Sequence, residues 1–539
     1  MRPVVWTIAG TDSAGGAGIA ADQRAADACG VHLCTVVAAV TAQNSLGVSR
    51  IEVLPVEALE AQLLALETDL PPAAVKTGLL GGAAQVRCVA RWIDRLRTRG
   101  PVVLVVDPVL GASAGGSFAD DETLAALRDL LLPRATLVTP NRREAVRLAQ
   151  PTGGTPDDVP ALASRLRAMG ARAVCITGGD DTPQAGLALD WMDTPHAAGW
   201  LALPRVDTPH THGTGCTFAS AAAAAMARGF VAADALVLAK MATTRALRQG
   251  AAAGQGAGAV RASAGFAADP SLMPQMSWSA APRFVPFGVA REAATPLGLY
   301  AIVDSAERVA QVVDAGVRTV QLRIKTPSSP DAGWTADVRG QIAASVAHCD
   351  AGGALLFVND HHALANELGA AGIHLGQEDL LAMDDAERER LPHRGGPVLG
   401  ISSHSLWELA RARSLAPRYI ACGPVWPTST KAMPWTAQGL GNLAWWVAMA
   451  GAPVVGIGGI LSAEEARAAA RCGADAVCVV RGLGERPGQT VPVFRRAVQV
   501  GRADGLLPAP HWPTPSLCGK QYATPDAADD PPRFNRDRG

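Results

Sequence analysis

Lysine is almost missing from this chain of 539 residues: of 48 basic side chains, five are lysine and 43 arginine. Each lysine position is therefore worth attention. Neither sign of charge is in excess, with a formal net charge of -1, and no clustered run of Lys or Arg stands out, which speaks against a nucleic-acid surface. Aromatic residues are 4% of the chain, too few for a series of base-stacking platforms. No apolar run reaches the roughly 18 residues of a membrane span. The stretch Ala219–Ala227 is too short and too weakly apolar. The opening MRPVVWTIAGTDS enters strand-like and turn-like sequence directly, without the separate apolar segment of a secretion signal. The ten cysteines include no C-x-x-C pair, which disfavours a zinc site or a disulfide framework and points to a reducing, cytoplasmic setting. There is no G-x-x-x-x-G-K-S/T string, which excludes a P-loop.

What is present is apolar material, 48% hydrophobic against 18% charged, enough for sizeable cores. At roughly 150 residues per domain the length suggests three or four domains, and two large α/β units fit it equally well. In the first half, short apolar runs at Val4–Ala9, Val36–Thr41, Ala74–Gly78, Val102–Asp107, Thr136–Thr139 and Ala173–Thr177 alternate with amphipathic stretches such as Val86–Arg97 and Asp121–Leu131. Such runs predict a parallel sheet covered on both faces, within a domain over residues 1–255. In the second half, eight runs read as strands: Leu299–Val303, Thr319–Arg323, Leu355–Asn359, Gly372–Leu375, Val398–Ile401, Tyr419–Cys422, Val454–Ile457 and Ala476–Val480. Eight strands in about 200 residues is the arithmetic of a compact (β/α)8 barrel, placed over 297–500. Residues 256–296, repeating Gly, Ala, Pro and Ser without a period, read as a linker. Residues 501–539, rich in Pro, Asp and Arg, read as a disordered tail.

The most specific string of the first half is THGTGCTFASA, Thr211–Ala221. Two glycines precede a small-residue helix that begins near Cys216, and exposed N–H groups at such a helix start form an anion hole. A plain tight turn before an Ala-rich packing helix is the other reading. The G-x-G within Gly15–Gly18 lacks the third glycine of a dinucleotide fingerprint. In the second half the strand ends carry the chemistry. QLRIK places Arg323 and Lys325 on one side of a strand end, suited to a polyanion at the C-terminal mouth of a barrel. Asn359 and Asp360 end the next strand and Asp379 follows the one after. Two carboxylates on adjacent strand ends can hold one Mg2+. Ser402 follows the fifth strand and Thr428, Thr430 and Lys431 the sixth. GIGGI, Gly456–Ile460, leaves backbone N–H groups for a phosphate after the seventh. Each charge alone could be a solvated loop residue, but their joint placement, with two of the five lysines among them, argues for a site. The His361–His362 pair reads as an exposed turn.

TIAGTDSAGGAGIAAD near the start, AVTAQN at 39–44, KTGLL at 76–80, TPNRREA at 139–145 and THGTGC at 211–216 make the first segment resemble hydroxymethylpyrimidine/phosphomethylpyrimidine kinase, a ribokinase-like family of thiamine biosynthesis. The resemblance implies a three-layer α/β/α domain with ATP at Gly213, Thr214 and Gly215, and a pyrimidine near Gly10, Asp12, Gln43, Leu79 and Val109. Gln43 suits an aminopyrimidine because one amide both donates and accepts. Glu144 would organise a Mg2+ shell. Many ribokinase relatives have an Asp base where this chain has Cys216. A thiol at a helix N-terminus has a lowered pKa and could act as the base, or the backbone N–H alone could do the work. Thr177 stands in the nucleotide loop where the family can carry Lys.

The second segment closely resembles thiamine phosphate synthase, a TIM barrel. This implies that Gln321, Leu322, Arg323, Ile324, Lys325, Asn359, Ser402 and Lys431 bind an aminopyrimidine diphosphate and that Asp360 and Asp379 hold Mg2+. Thr428, Ser429, Thr430, Gly458 and Val480 would hold the thiazole phosphate. Arg481 stands where the family usually has Ser, and could grip the phosphate or face solvent. Cys216, Arg323 and Lys431 are the candidate catalytic groups. Together the halves imply a bifunctional transferase. It would phosphorylate 4-amino-5-hydroxymethyl-2-methylpyrimidine and its phosphate with MgATP, then condense the diphosphate with thiazole phosphate to thiamine phosphate and pyrophosphate. Small-molecule substrates are the expected partners, with no nucleic acid and no membrane, and a homo-oligomer is expected. One rival is a pyridoxal-type kinase fused to a thiazole tautomerase-like barrel, disfavoured by the intact QLRIK, Asp360/Asp379 and PTSTK set. Another is a non-catalytic pyrimidine-sensing scaffold, which need not keep the carboxylates or GTGC.

Overall fold

The computed structural model describes residues 2–111, 119–150, 158–179, 186–288, 295–391, 396–428 and 434–517. It divides into two compact units, one built on the chain up to Pro282 and the other on Arg283–Ser516.

The first unit is built on β1 (Val4–Asp12), β2 (His32–Gln43), β3 (Val48–Val53), β4 (Ala74–Thr77), β5 (Val103–Val106), β6 (Leu137–Val138), β7 (Val174–Thr177), β8 (Leu187–Asp193), β9 (Ala198–Pro204) and β10 (Gln275–Met276). They form one sheet in the order β10-β9-β8-β7-β6-β5-β4-β1-β2-β3. The six strands from β7 to β2 are parallel and are the six runs expected from the sequence. Every residue of β4 and β5 is buried, as it must be when both faces of a sheet are covered. The expected all-parallel sheet needs correction at both edges, where β3, β8, β9 and β10 pair antiparallel. β3 is largely exposed, so it lacks an apolar run. β8 carries two aspartates, and helices supply their partners: Lys240 lies 2.8 Å from Asp190 and Arg167 2.9 Å from Asp193.

The linker also moves. Phe266, Leu272, Met273 and Met276 are fully buried, and β10 lies along β9, so residues 256–282 belong to the first unit. They showed no period because they pack through two short 3-10 turns and a two-residue strand.

The second unit is a closed barrel of eight parallel strands, and all eight expected runs are there. They are β11 (Gly298–Val303), β12 (Thr319–Leu322), β13 (Leu355–Asn359), β14 (Gly372–Leu375), β15 (Val398–Ser403), β16 (Tyr419–Cys422), β17 (Val454–Ile457) and β18 (Ala476–Val479). Two glycines make room for rings. A Cβ on Gly372 would stand 2.3 Å from the Phe357 ring, and one on Gly400 2.3 Å from the Tyr419 ring. The tail expectation is corrected up to Ser516. Residues 501–503 complete the helix Pro487–Ala503. Beyond it the chain lies back on the barrel, with the Leu507 N–H donating to Arg471 O (2.9 Å) and the Thr514 N–H to Asn442 Oδ1 (2.8 Å).

Candidate active sites

In the first unit, β1 ends on Asp12, whose carboxylate organises the following loop. Oδ1 accepts the Ala14 N–H at 2.9 Å, and Oδ2 accepts those of Gly16 (2.9 Å) and Ala17 (2.8 Å). His212 Nε2 stands 2.9 Å from the same Oδ2. Burial alone would raise this carboxyl, but His212 and the loop N–H groups outweigh it and hold it below the usual range. Asp12 is thus an anchor of loop and histidine. Gln43, at the end of β2, reaches the same histidine at 3.2 Å. Leu79 and Val109 line one pocket with Gly78 and Pro108, and a Cβ on Gly10 would touch Leu79 Cδ2 at 3.1 Å. The five residues expected around the pyrimidine therefore fall into two linked groups.

Two glycines explain why these strings meet. Gly18 (φ +54°) and Gly213 (φ +86°) are left-handed, and a Cβ on either would stand 2.2 Å from a backbone oxygen, that of Gly10 or Gly16 respectively. Gly213 opens the helix Thr214–Ala227, whose start no side chain caps; the Thr214 N–H turns back to Thr211 O (3.2 Å), and the N–H groups beside it can receive an anion.

Beneath this helix start lies a group that sequence reasoning missed. Lys76 is fully buried, with Nζ at 3.0 and 3.2 Å from the Asp22 oxygens and 3.5 Å from Asp107 Oδ2. Asp22 also accepts from Thr7 Oγ1 (2.6 Å) and Ser220 Oγ (2.8 Å). A lysine inside an apolar strand of a lysine-poor chain was the available signal. For the half-buried Cys216 thiol the shift runs against the lowering that a helix start alone would give. Burial, with Asp107 and Asp22 adding to it, outweighs Lys76 and a backbone bond at Gly18 and pushes the thiol up to about 12.

Glu144 lies in a capping box with Asn141. Its Oε2 accepts the Asn141 N–H and Asn141 Oδ1 accepts its own N–H, both at 2.9 Å. Burial and then Asp107 push the Glu144 carboxyl up to about 8. Asp107 is itself raised, chiefly by burial, although Lys76, 3.5 Å from its Oδ2, and Cys216 pull the other way. Thr177 ends β7. The Gly178 N–H after it donates to Asp190 Oδ1 (3.1 Å), and Lys240 holds the other oxygen. Lys240 therefore secures the loop and does not replace the absent loop lysine.

In the barrel, the C-terminal strand ends share one rim. Arg323, just past β12, is half-buried, and Lys325 is exposed. Asn359 is buried, and Asp360 after it is exposed in a left-handed conformation (φ 65°). Asp379 is the third residue of the helix Gln377–Ala382 and its Oδ2 accepts the Gly376 N–H at 2.8 Å. Among the described residues no group of three or more His, Cys, Asp or Glu gathers around a metal position. Two carboxylates would be the full protein share for Mg2+, which keeps waters and phosphate oxygens as its other ligands. Gly458 (φ +95°) admits no side chain, since a Cβ would meet Pro424 Cα at 2.7 Å. Thr428 and Val480 are half-buried at the rim and Arg481 is exposed. Ser429, Thr430 and Lys431 lie outside the described residues.

Leu322 is buried and Ile324 half-buried, and Ile324 O accepts from His361 Nε2 at 3.1 Å, so His361 is tied to the rim. The barrel interior also holds a polar chain that the sequence did not announce. It runs from Gln321 through Tyr300 and Tyr419 to His374 and Ser402. Burial, helped by Arg323 and His404, pushes His374 down to about 4 and keeps it neutral.

Residues 12–261 match the phosphomethylpyrimidine kinase family model and residues 299–483 the thiamine monophosphate synthase model. The chain is 33% identical over 503 residues to a probable thiamine biosynthetic bifunctional enzyme, chloroplastic, of Oryza sativa subsp. japonica, a match covering 90% of this chain and 86% of that one. Its first half is 41% identical over 256 residues to the hydroxymethylpyrimidine/phosphomethylpyrimidine kinase of Synechococcus elongatus, covering 48% of this chain and 95% of that one. Among solved structures, an ADP complex of Bacillus subtilis pyridoxal kinase is 30% identical and covers 49% of this chain and 98% of that one, at a TM-score of 0.44. No helix among the described residues is long and apolar enough to cross a membrane. With a mostly parallel sheet unit followed by a closed eight-stranded parallel barrel, each matched in chain order, the chain belongs to the bifunctional transferases of thiamine biosynthesis, in which hydroxymethylpyrimidine/phosphomethylpyrimidine kinase is joined to thiamine phosphate synthase.

Proposed function

We propose that, in the kinase, Gln43, Leu79 and Val109 hold the pyrimidine beside Gly10, and that the N–H groups of Gly213 and Gly215, on either side of Thr214, stabilise charge on the transferred phosphoryl group of ATP. Thr177 borders the nucleotide. The raised thiol favours a Cys216 that acts through its position and N–H, without a standing thiolate. Asp107 and Glu144 would hold Mg2+, which when bound neutralises phosphate charge. Two neighbouring buried carboxyls, both raised above their usual range, fit a divalent cation, which would share Asp107 Oδ2 with the Lys76 ammonium 3.5 Å away.

In the barrel, Arg323, Lys325, Asn359 and Lys431 hold the diphosphate, and Asp360 and Asp379 would hold the second Mg2+. Gln321, Leu322, Ile324 and Ser402 form the aminopyrimidine end. Pyrophosphate leaves with the bonding electron pair toward the cations, the aminopyrimidine supports the developing methylene cation, and the thiazole nitrogen attacks it. Thr428, Ser429, Thr430, Gly458 and Val480 hold the thiazole phosphate, with Arg481 at its edge. The attacking nitrogen carries no proton, so the step needs no general base, and the interior imidazole is neutral and engaged at both nitrogens. The same reading keeps a homo-oligomer in the cytoplasm as the setting. The observation that carries it is the placement of Arg323, Asp360, Asp379, Ser402 and Gly458 at or just past the ends of strands β12, β13, β14, β15 and β17 on one rim of the barrel. Mass spectrometry of the full chain with hydroxymethylpyrimidine, thiazole phosphate and MgATP should show thiamine phosphate. Asp379→Asn should lower condensation by orders of magnitude, with partial recovery at high Mg2+. A wild-type rate in that variant at limiting Mg2+ removes Asp379 from the metal site.

A further inference from the structure

We propose that the proline-rich segment 504–516 is a strap that holds the substrate-binding ends of β15 and β16 in place, with Asn442 and Gln438 as positioning residues of the condensation. The proposal rests on the reading that Ser402 and Thr428 meet the substrates. The residues that match the synthase model end at 483, and the last barrel helix ends at Ala503. Past it the chain carries Pro508, Pro510, Pro513 and Pro515. Proline fixes φ and favours extended chain without internal hydrogen bonds, which leaves the remaining N–H and C=O groups for partners elsewhere. Thr514 gives both of its own to Asn442, on the helix Gly439–Met449: the N–H donates to Oδ1 at 2.8 Å and the C=O accepts from Nδ2 at 3.0 Å. Ser516 O accepts from the Thr436 N–H at 2.9 Å and from the Thr436 hydroxyl at 3.1 Å.

Because Thr514 presents a backbone donor and a backbone acceptor, the Asn442 amide has one orientation, and its second N–H goes to Gln438 Oε1 at 2.8 Å. That turns Gln438 Nε2 to His404 O, which accepts at 2.7 Å, two residues past Ser402. Backbone groups therefore set the direction of the network at both ends. Asn442 and Gln438 are buried, so a bond lost there leaves its partner unsatisfied. The same glutamine closes a neck. Its backbone N–H donates to Pro424 O at 2.7 Å and the Gly439 N–H to Val425 O at 2.9 Å, so the chain that leaves β16 through Thr428 returns to its own root. On the returning limb the Trp435 ring lies flat on the His404 ring, at 8° and 5.3 Å between centroids. The strap thus bears on the ends of two strands through one pair of amides. Ser402 and Thr428 hold parts of the substrates that persist in the transition state, so displacing them acts on KM more than on kcat.

The test uses the full chain with purified aminopyrimidine diphosphate, thiazole phosphate and Mg2+. Asn442→Leu keeps a branched side chain and removes the bonds to the strap together with the one to Gln438. Gln438→Glu keeps the shape and removes only the donor to His404 O. In each variant the KM of both substrates should rise roughly tenfold at near-wild-type kcat, while kinase turnover holds. The two substitutions combined should do no more harm than the worse one alone, because both cut one path. Pro513→Gly with Pro515→Gly leaves every side-chain partner in place and loosens the strap through chain entropy, so it should raise both KM values by a smaller factor. Unchanged KM values in the folded variants, even with a lowered Tm, make the strap a stabiliser only and overturn the proposal. Losses that simply multiply in the combined variant overturn it as well. Failure of wild type to condense the substrates at all instead overturns the underlying reading of the barrel.

Discussion

Cys216 sits where two influences oppose each other. A helix start and Lys76 favour a thiolate, while burial and two carboxylates oppose it, and the thiol ends near 12. A general base contributes roughly 10²–10⁴-fold to a rate. Cys216→Ser keeps the size and the N–H, so kinase kcat at saturating substrates should fall less than tenfold. A larger loss restores the thiolate base. Glu144 makes a second prediction. Its carboxyl is raised from 4.5 to about 8, so below pH ~4.5 it is protonated folded or unfolded and has no net effect. Between the two values the unfolded chain loses the proton that the folded chain keeps, so stability should fall as pH rises and level off above about 8. A cation against the ionised carboxylate should offset this. Thermal unfolding should show Mg2+ raising Tm more at pH 8.5 than at pH 6, and Glu144→Gln should flatten both trends. Equal Mg2+ effects at the two pH values would remove Glu144 from the metal site.

At the scale of elements, the kinase site is a meeting of the β1 loop and the helix Thr214–Ala227, and it depends on backbone proximity. Gly213→Ala would bring a methyl to 2.2 Å from Gly16 O at a positive φ. The helix start must then shift, and a 1 Å displacement can cost 10²-fold in rate. Kinase activity should drop by about that factor while condensation holds, measured in one sample with both substrate sets. Equal loss of both activities points to general unfolding. Elements also show where sequence patterns stop being readable. The parallel strands and the eight barrel strands were legible because their runs are mostly apolar and mostly buried, with single polar residues such as Lys76, Gln321 and His374 inside them. β8 was not, because Asp190 and Asp193 interrupt its run and only Lys240 and Arg167, distant in the chain, make them tolerable there.

For the whole molecule, each unit carries its own group of site residues, so the activities should be separable. The place of the cut follows from the structure. A piece ending at residue 270 loses β10 and the buried Met273, Met276 and Trp278, whereas one ending at 282 keeps them. The 1–282 piece should phosphorylate the pyrimidine and 283–539 should condense the diphosphate, while 1–270 should unfold at lower temperature. If 1–282 and 283–539 are folded and inactive, the sites are not independent.

By itself the sequence determined the two-fold architecture and the placement of Arg323, Asp360, Asp379, Ser402 and GTGC, because apolar periodicity and strand-end motifs are local properties of the chain. It also carried the thiamine-synthesis reading through motifs in family order. Tertiary structure alone decided which way the Cys216 thiol and the Glu144 carboxyl shift, since a pKa depends on burial and on charges brought from elsewhere in the chain. It alone decided that residues 256–282 are part of the kinase, because their burial has no period. And it alone joined Tyr300, His374, Ser402 and Tyr419, one from each of four strands, into a chain of donors and acceptors, since hydrogen bonds across a barrel leave no spacing in the sequence.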